Sequence, residues 1–409
     1  MAQAAKSERA GVTAEASSLV AKAQELNSFF IAQAERNEAQ GSLTDEVFKA
    51  LSDNGFFGLW VPKCFGGSEA SPIEGLEVIE ALSYADGSTG WVVMAAQVAT
   101  ATAAAYLPSS AAEQIFGSPP AIIAGQGAPL GRADVVGKGF RLTGQWHYGS
   151  GLLHANYIHT GGIVYENGAP RMLPGTKLPE ARIFIVPREQ ARLLGNWDVL
   201  GLRATGSIDY ALDGVYVPEE FTHLQSAATP RQGGNLYKLG ISGLGSICHT
   251  AFALGTGRRM LDELAILARA ESGRPALLPQ IGGGESFQEQ FGLAEAKLRS
   301  SRAFAREVLQ DIQSTLQRGA DITRRQFTLE KLALNYATSA IAEACTFAYR
   351  YAGGVAFRNG TMQRLFRDMN SGTAHITTGP NFLRECGKDL LGLAEGKVWG
   401  SRGFVDPPV

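Results

Sequence analysis

Cysteine is scarce in this chain, neither sign of charge is in excess, and no stretch reaches the roughly 18 uncharged apolar residues that a membrane span requires. The four cysteines, Cys64, Cys248, Cys345 and Cys386, stand far apart and form no CxxC pair, so they signal neither a disulfide framework nor a zinc site. They read as thiols in a reducing compartment. A net charge of −2 without any Lys/Arg run leaves no electrostatic footprint for phosphate backbones or anionic lipid, which argues against nucleic acid and membranes as partners. Residues 1–20 include Glu8 and Glu15 and have no apolar signal-like core, so a cytoplasmic protein is expected.

The 409 residues, 45% of them hydrophobic and 19% charged, suffice for two or three domains with a large buried core. Periodicity divides them into a helical segment over 1–118, a β-prone segment over 119–225 and a second helical segment over 226–409. In the first, Ser71-Pro72-Ile73-Glu74 is a helix start with a capping box, and Gly55 and Gly87 sit where helices should end. The apolar link Phe56 to Val61 should bury against something. In the second, strands are expected over 121–124, 139–143, 157–164, 181–186 and 209–217. In the third, long helices are expected over 247–270, 287–318 and 323–351, with a cap region at Asp321 and Thr323 and loops over 273–285 and 353–360. Helices, then strands, then a helical bundle means a mainly α member of the α+β class, not alternating βαβ units.

Familiar catalytic signatures fail on inspection. Gly125-Gln126-Gly127 and Gly255-Thr256-Gly257 lack the third glycine of a dinucleotide fingerprint, since Leu130 and Met260 stand there. Gly149-Ser150-Gly151 is not a nucleophile elbow, because Tyr148 occupies the position that needs glycine. His147, His154 and His159 do not converge on an extended segment, which places His154 opposite the other two. His375 closes a polar, small-residue stretch from Arg367 to His375 and reads either as a hydrogen-bonded helix-terminus histidine or as a functional group.

Dispersed motifs then match in order: Phe65-Gly66-Gly67, Leu142 to Gly151 followed by Ala155-Asn156-Tyr157, Gly201-Leu202-Arg203-Ala204-Thr205-Gly206-Ser207, Val215 to Pro218, Tyr351 to Gly354, and Arg367-Asp368. Along nearly its whole length the chain resembles the acyl-CoA dehydrogenase superfamily. That resemblance implies an N-terminal helical domain, a central β-barrel and a C-terminal four-helix bundle, in a homotetramer with flavin between subunits. A dehydrogenase of this family needs a carboxylate base for the α-proton of an acyl thioester. Here His375, Ile376 and Thr377 occupy its neighbourhood with no acid between Asn370 and Asn381, and the alternative position on the first bundle helix falls at Gly245 or Ser246.

The chain looks instead like the superfamily's flavin-dependent monooxygenases, the oxygenase halves of two-component systems that receive FADH2 or FMNH2 from a separate reductase. The features are Ser150 in W-x-x-x-S-G, the G-L-R-x-T-G-S motif, and a histidine where the dehydrogenase base should be. Such enzymes hydroxylate or epoxidise aromatic small molecules with molecular oxygen through a C4a-hydroperoxyflavin, which survives only where water is kept out. The resemblance makes Ser150 the partner of flavin N5 and His375 the group beside the peroxide. It gives Tyr148, Gln126, Arg203, Thr205, Ser207, Gly353 and Gly354 to the cofactor.

Trp91, Met94, Gln97 and His249 are expected to line the substrate pocket. Phenol-hydroxylating relatives often carry a histidine in the helix after the Gly90-Trp91 pair; residues 90–99 have none, which favours an uncharged, indole-like heteroaromatic. Plain alternatives stand beside these readings: a turn serine, a core aromatic, a surface-paired Arg203. Two rival functions do too, a dehydrogenase with a relocated base at Glu271 or Glu285 and a flavin-carrying nucleic-acid binder.

Overall fold

The computed structural model describes residues 19–117, 121–270, 281–400 and 402–407. Helices α1 (Asn27–Gln40), α2 (Asp45–Asp53), α3 (Pro72–Ala85), α4 (Gly87–Tyr106) and α5 (Ser109–Phe116) come first. The Ser71 hydroxyl accepts from Glu74 N–H while the Glu74 carboxylate accepts from Ser71 N–H, completing the expected capping box ahead of Pro72. Gly55 follows α2 in the left-handed region at φ 79°, but Gly87 opens a helix where a helix end is expected. Asp86 is the reason: its carboxylate accepts from Thr89 N–H (3.1 Å) and Thr89 Oγ1–H (2.6 Å) and so caps α4. The 56–61 link is buried, with Phe56, Leu59 and Trp60 fully inside.

The middle of the chain forms a nine-stranded sheet: β1 (Ile123–Ala124), β2 (Pro129–Val136), β3 (Gly139–Trp146), β4 (Tyr157–Glu166), β5 (Ala169–Pro170), β6 (Ala181–Pro187), β7 (Arg192–Gly195), β8 (Asp209–Pro218) and β9 (Thr222–Leu224). The order runs β7-β8-β3-β2-β4-β6-β9, with β1 and β5 also paired to β4. Trp146, Tyr210, Phe140 and Phe184 fill its core. β1 and β2 both lie parallel to β4, and the Gly125-Gln126-Gly127 turn leaves the sheet between them. That turn joins two strands and opens no helix.

Four long or medium helices follow: α6 (Gly240–Arg269), α7 (Glu285–Gln317), α8 (Arg324–Ala352) and, beyond the single turn α9 (Gly354–Phe357), α10 (Thr361–Thr373). A shorter α11 (Pro380–Leu390) and a hairpin of β10 (Val398–Gly400) with β11 (Gly403–Val405) complete the described residues. Thr323 and Gln326 cap α8 reciprocally. The Gly255-Thr256-Gly257 stretch lies inside α6, where a Cβ on Gly255 would stand 2.2 Å from the Glu80 carbonyl and one on Gly257 2.2 Å from Ile341 Cγ2. These glycines serve close helix packing.

The β-region is keyed to the bundle at one point. Leu202 adopts φ 55°, and its N–H donates to the buried Asp368 carboxylate of α10 at 2.6 Å. Arg367 donates to the Leu200 carbonyl (2.7 Å) and pairs with Glu38 of α1. A Cβ on Gly201 would stand 2.3 Å from the Arg367 carbonyl, so only glycine lets this turn lie flush on α10. The Arg-Asp pair thus registers the 201–207 motif against the helix that leads to His375.

Candidate active site

Trp91 on α4 is the hub. Its indole N–H donates to Ser150 Oγ at 3.1 Å; Ser150 Oγ meets Ser207 Oγ at 2.6 Å, Ser207 Oγ meets Thr205 Oγ1 at 2.6 Å, and Thr205 Oγ1–H donates to the Leu202 carbonyl at 2.7 Å. Each hydroxyl has one proton, which sets the direction of the chain. Thr205 spends its proton on Leu202, so Ser207 donates to Thr205 and Ser150 donates to Ser207. Ser150 therefore accepts from Trp91 and has one lone pair left. The turn holding it is local: Tyr148 takes φ 62° and Gly151 φ 77°, while Gly149 N–H donates to the Ile208 carbonyl and Gly151 N–H to the Thr205 carbonyl.

On the other flank of Trp91 lie two imidazoles. His249 of α6 and His375, which follows α10, have ring centroids 4.0 Å apart and planes tilted by 31°. Trp91 meets His249 at 5.1 Å and His375 at 5.9 Å, both edge-on. Burial pushes the His375 pKa down to about 4, with no carboxylate among the described residues opposing it, and burial plus the adjacent His375 push His249 well below the ordinary histidine value. Both rings are neutral near pH 7. Thr377 N–H donates to His375 Nδ1 (3.4 Å) and Thr377 Oγ1 stands 2.8 Å from the same atom. Nδ1 is thus an acceptor, and the ring proton resides on Nε2.

Six expected residues therefore come together: Trp91, Ser150, Thr205, Ser207, His249 and His375. Others stand apart from this cluster. Gln97 is wholly buried with both amide ends spent on the 56–60 link, accepting from Trp60 N–H (3.0 Å) and donating to the Phe56 carbonyl (2.8 Å); it braces the core and does not face a pocket. Met94 is a core residue whose carbonyl accepts from Cys248 Sγ. Tyr148 is 64% exposed, an aromatic on left-handed backbone laid open beside Trp197. Arg203 is half-exposed and 4.0 Å from Glu38. Gly353 and Gly354 are exposed at the C-terminus of α8, where a Cβ on either would meet nothing.

Gln126 N–H donates to Tyr210 Oη, its carbonyl accepts from Gly161 N–H, and its buried Oε1 has no partner among the described residues. His147, His154 and His159 go to separate neighbours, Asp209, Phe48 and His223. Of the relocated bases, Glu285 is exposed at the start of α7, and Glu271 lies outside the described residues. Sequence reasoning missed Phe252, which meets Trp91 edge-on at 4.9 Å, and Thr377. Phe252 is one helical step from His249 and was legible from that spacing.

Comparison with known proteins identifies the family. Residues 13–114 match the family described as Acyl-CoA dehydrogenase, N-terminal domain, and residues 247–380 the one described as Acyl-CoA dehydrogenase, C-terminal domain. Indole-3-acetate monooxygenase of Pseudomonas putida is 31% identical over 359 residues, 87% of this chain and 89% of its own. The chain belongs to the acyl-CoA dehydrogenase superfamily, among its flavin-dependent monooxygenases. The FADH(2)-dependent resorcinol hydroxylase, oxygenase component, of Rhizobium sp. (strain MTP-10005) is 26% identical over 399 residues, 92% of this chain and 94% of its own. In fold, this monooxygenase superposes on XiaF from Streptomyces sp. in complex with FADH2 and glycerol at a TM-score of 0.86, with 21% identity and 95% and 98% of the two chains covered.

The donor set fits a reduced flavin. Around the Ser150 turn it offers hydroxyls, an amide oxygen at Gln126 without a partner among the described residues and an open aromatic at Tyr148, and among the described residues it places no charged side chain in the Trp91 cluster. Such a lining suits an uncharged heteroaromatic ring. Among the described residues no helix is long and apolar enough to cross a membrane.

Proposed function

We propose that this monooxygenase hydroxylates or epoxidises an uncharged aromatic or heteroaromatic ring of indole type. One observation carries the reading: Trp91 joins a hydroxyl chain on one flank to a pair of neutral imidazoles on the other, and among the described residues no carboxylate is hydrogen-bonded to any member of the cluster. When bound, the reduced flavin would supply the two electrons with which dioxygen is split, one oxygen atom going to the ring and the other leaving as water. Ser150 would hold the N5–H of that flavin on its remaining lone pair. Gln126 and Tyr148 would take the ring system, and Arg203, Gly353 and Gly354 the outer parts of the cofactor. His375 presents Nε2–H as a donor to the reacting oxygen, a role a carboxylate would fill badly because it adds negative charge there.

Trp91, Phe252 and His249 would wall the substrate and keep water out, with Met94, buried on the same helix as Trp91, completing the apolar surroundings. The names of the relatives support an aromatic substrate and, in the words oxygenase component, a separate reductase. The reading includes a homotetramer and a reducing, cytoplasmic setting; the second is supported by four free thiols. The test is to mix the protein with FMNH2 or FADH2, dioxygen and indole or indole-3-acetate, then to quantify oxygenated ring against hydrogen peroxide. Product from the ring supports the reading. Stoichiometric peroxide with every ring tried overturns it.

A further inference from the structure

We propose that Thr205 and Ser207 act through Ser150 as positioning residues that make this site prefer reduced over oxidised flavin. This rests on the reading that flavin N5 meets Ser150. The Trp91 indole can only donate and the Leu202 carbonyl can only accept, so the three hydroxyls between them are ordered from both ends. All three are at least nine-tenths buried, which removes the water that would otherwise let their protons turn freely. The consequence is specific: Ser150 Oγ carries its proton toward Ser207 and shows an approaching ligand only a lone pair.

Reduced flavin bears a hydrogen on N5 and donates to that lone pair. Oxidised flavin has a bare lone pair on N5, and two acceptors then face one another across a buried contact. The ordering depends on the far end of the chain. With no hydroxyl at 205, Ser207 is free to reverse, Ser150 can turn its proton outward, and oxidised flavin finds a donor. Thr205 thus touches neither flavin nor substrate and still sets which redox form is welcome.

The experiment compares dissociation constants for FMN and anaerobically reduced FMN in the wild type and in Thr205→Val, Thr205→Ser and Ser207→Ala, with the midpoint potential of bound flavin as a second readout. The wild type is expected to bind the reduced form at least about tenfold more tightly. Thr205→Val and Ser207→Ala are expected to lose about tenfold of that ratio, which lowers the midpoint potential by about 30 mV for a two-electron couple. Thr205→Ser is expected to keep it. An unchanged ratio in both Thr205→Val and Ser207→Ala overturns the inference, as does a Thr205→Ser ratio as low as that of Thr205→Val, which would make Thr205 a packing residue. Equal wild-type affinity for the two redox forms overturns this inference alone. No affinity for either form removes the flavin reading and this inference with it.

Discussion

The indole N–H of Trp91 and the hydroxyl of Ser150 meet at 3.1 Å across 59 residues of sequence, and this one bond joins α4 to the turn that follows β3. Both residues are more than nine-tenths buried, so neither has water to fall back on. Trp91→Phe keeps the ring against His249 and Phe252 but leaves Ser150 without its donor. The expected cost is about 1 kcal/mol of stability, read from the urea midpoint, together with weaker binding of reduced flavin, read by titration. An unchanged flavin affinity would take this bond out of the cofactor site.

His375→Asn is expected to keep flavin binding and to cut ring oxygenation at least about tenfold, with peroxide released in its place. Because burial holds the imidazole pKa near 4, product yield should stay level from pH 8 down to about 5 and fall only as the ring begins to protonate below that. An inflection near 6.5 would show that the ring titrates as an exposed histidine. Thr377→Val, which deletes the hydroxyl at 2.8 Å from Nδ1, should raise the share of the Nδ1–H tautomer in nitrogen NMR and lower the yield in the same direction.

His249 tests whether the pocket reads a polar group on the ring. Among the described residues no hydrogen bond is made by its imidazole, although the ring stacks on His375 and meets the edge of Trp91. His249→Phe preserves that packing and His249→Gln preserves a donor and an acceptor. The expected result is a preference for indole over benzothiophene in kcat/KM that drops about tenfold in His249→Phe and survives in His249→Gln. The reverse pattern would make His249 a packing residue only.

Acid should destabilise the fold through a second histidine pair. His159 and His223 are buried with ring centroids 6.5 Å apart, and burial lowers their pKa values to about 3 and about 4. Above about 6.5 both are neutral folded or unfolded. As pH falls from there toward 4, the unfolded chain takes up protons that the folded one refuses, so stability falls with it. Each histidine contributes a slope approaching about 1.4 kcal/mol per pH unit. His159→Leu should remove about one such slope from urea midpoints measured between pH 4.5 and 6; an unchanged slope would place the acid sensitivity elsewhere.

Much of the scaffold was written in local pattern. Ser71 with Glu74 announced a helix start and Thr323 marked a cap region, because a cap needs only residues a few positions apart. The long bundle helices were likewise visible in their apolar spacing. Strands β2, β5, β7 and β9 and the β10–β11 hairpin escaped: Arg132 and Asp134 in β2 and Arg192 in β7 break the apolar alternation, and the added sheet strands pair chiefly because β3, β4, β6 and β8 already offer partners. Gly87 was misplaced because Asp86 ends one helix and caps the next.

Within the site, the lack of acid around His375 and the serine of W-x-x-x-S-G were readable once the family resemblance said which positions to inspect, and they pointed away from a thioester base. The direction of the hydroxyl chain was not, nor the stacking of His249 on His375, nor the diversion of Gln97 to the backbone of Phe56 and Trp60. Composition and short spacing say which chemical groups a chain owns and which helices they ride on. Where a proton points depends on donors and acceptors that lie tens of residues apart until burial brings them together, and that is settled only when α4, the Ser150 turn, the 201–207 turn and the end of α10 are packed against one another.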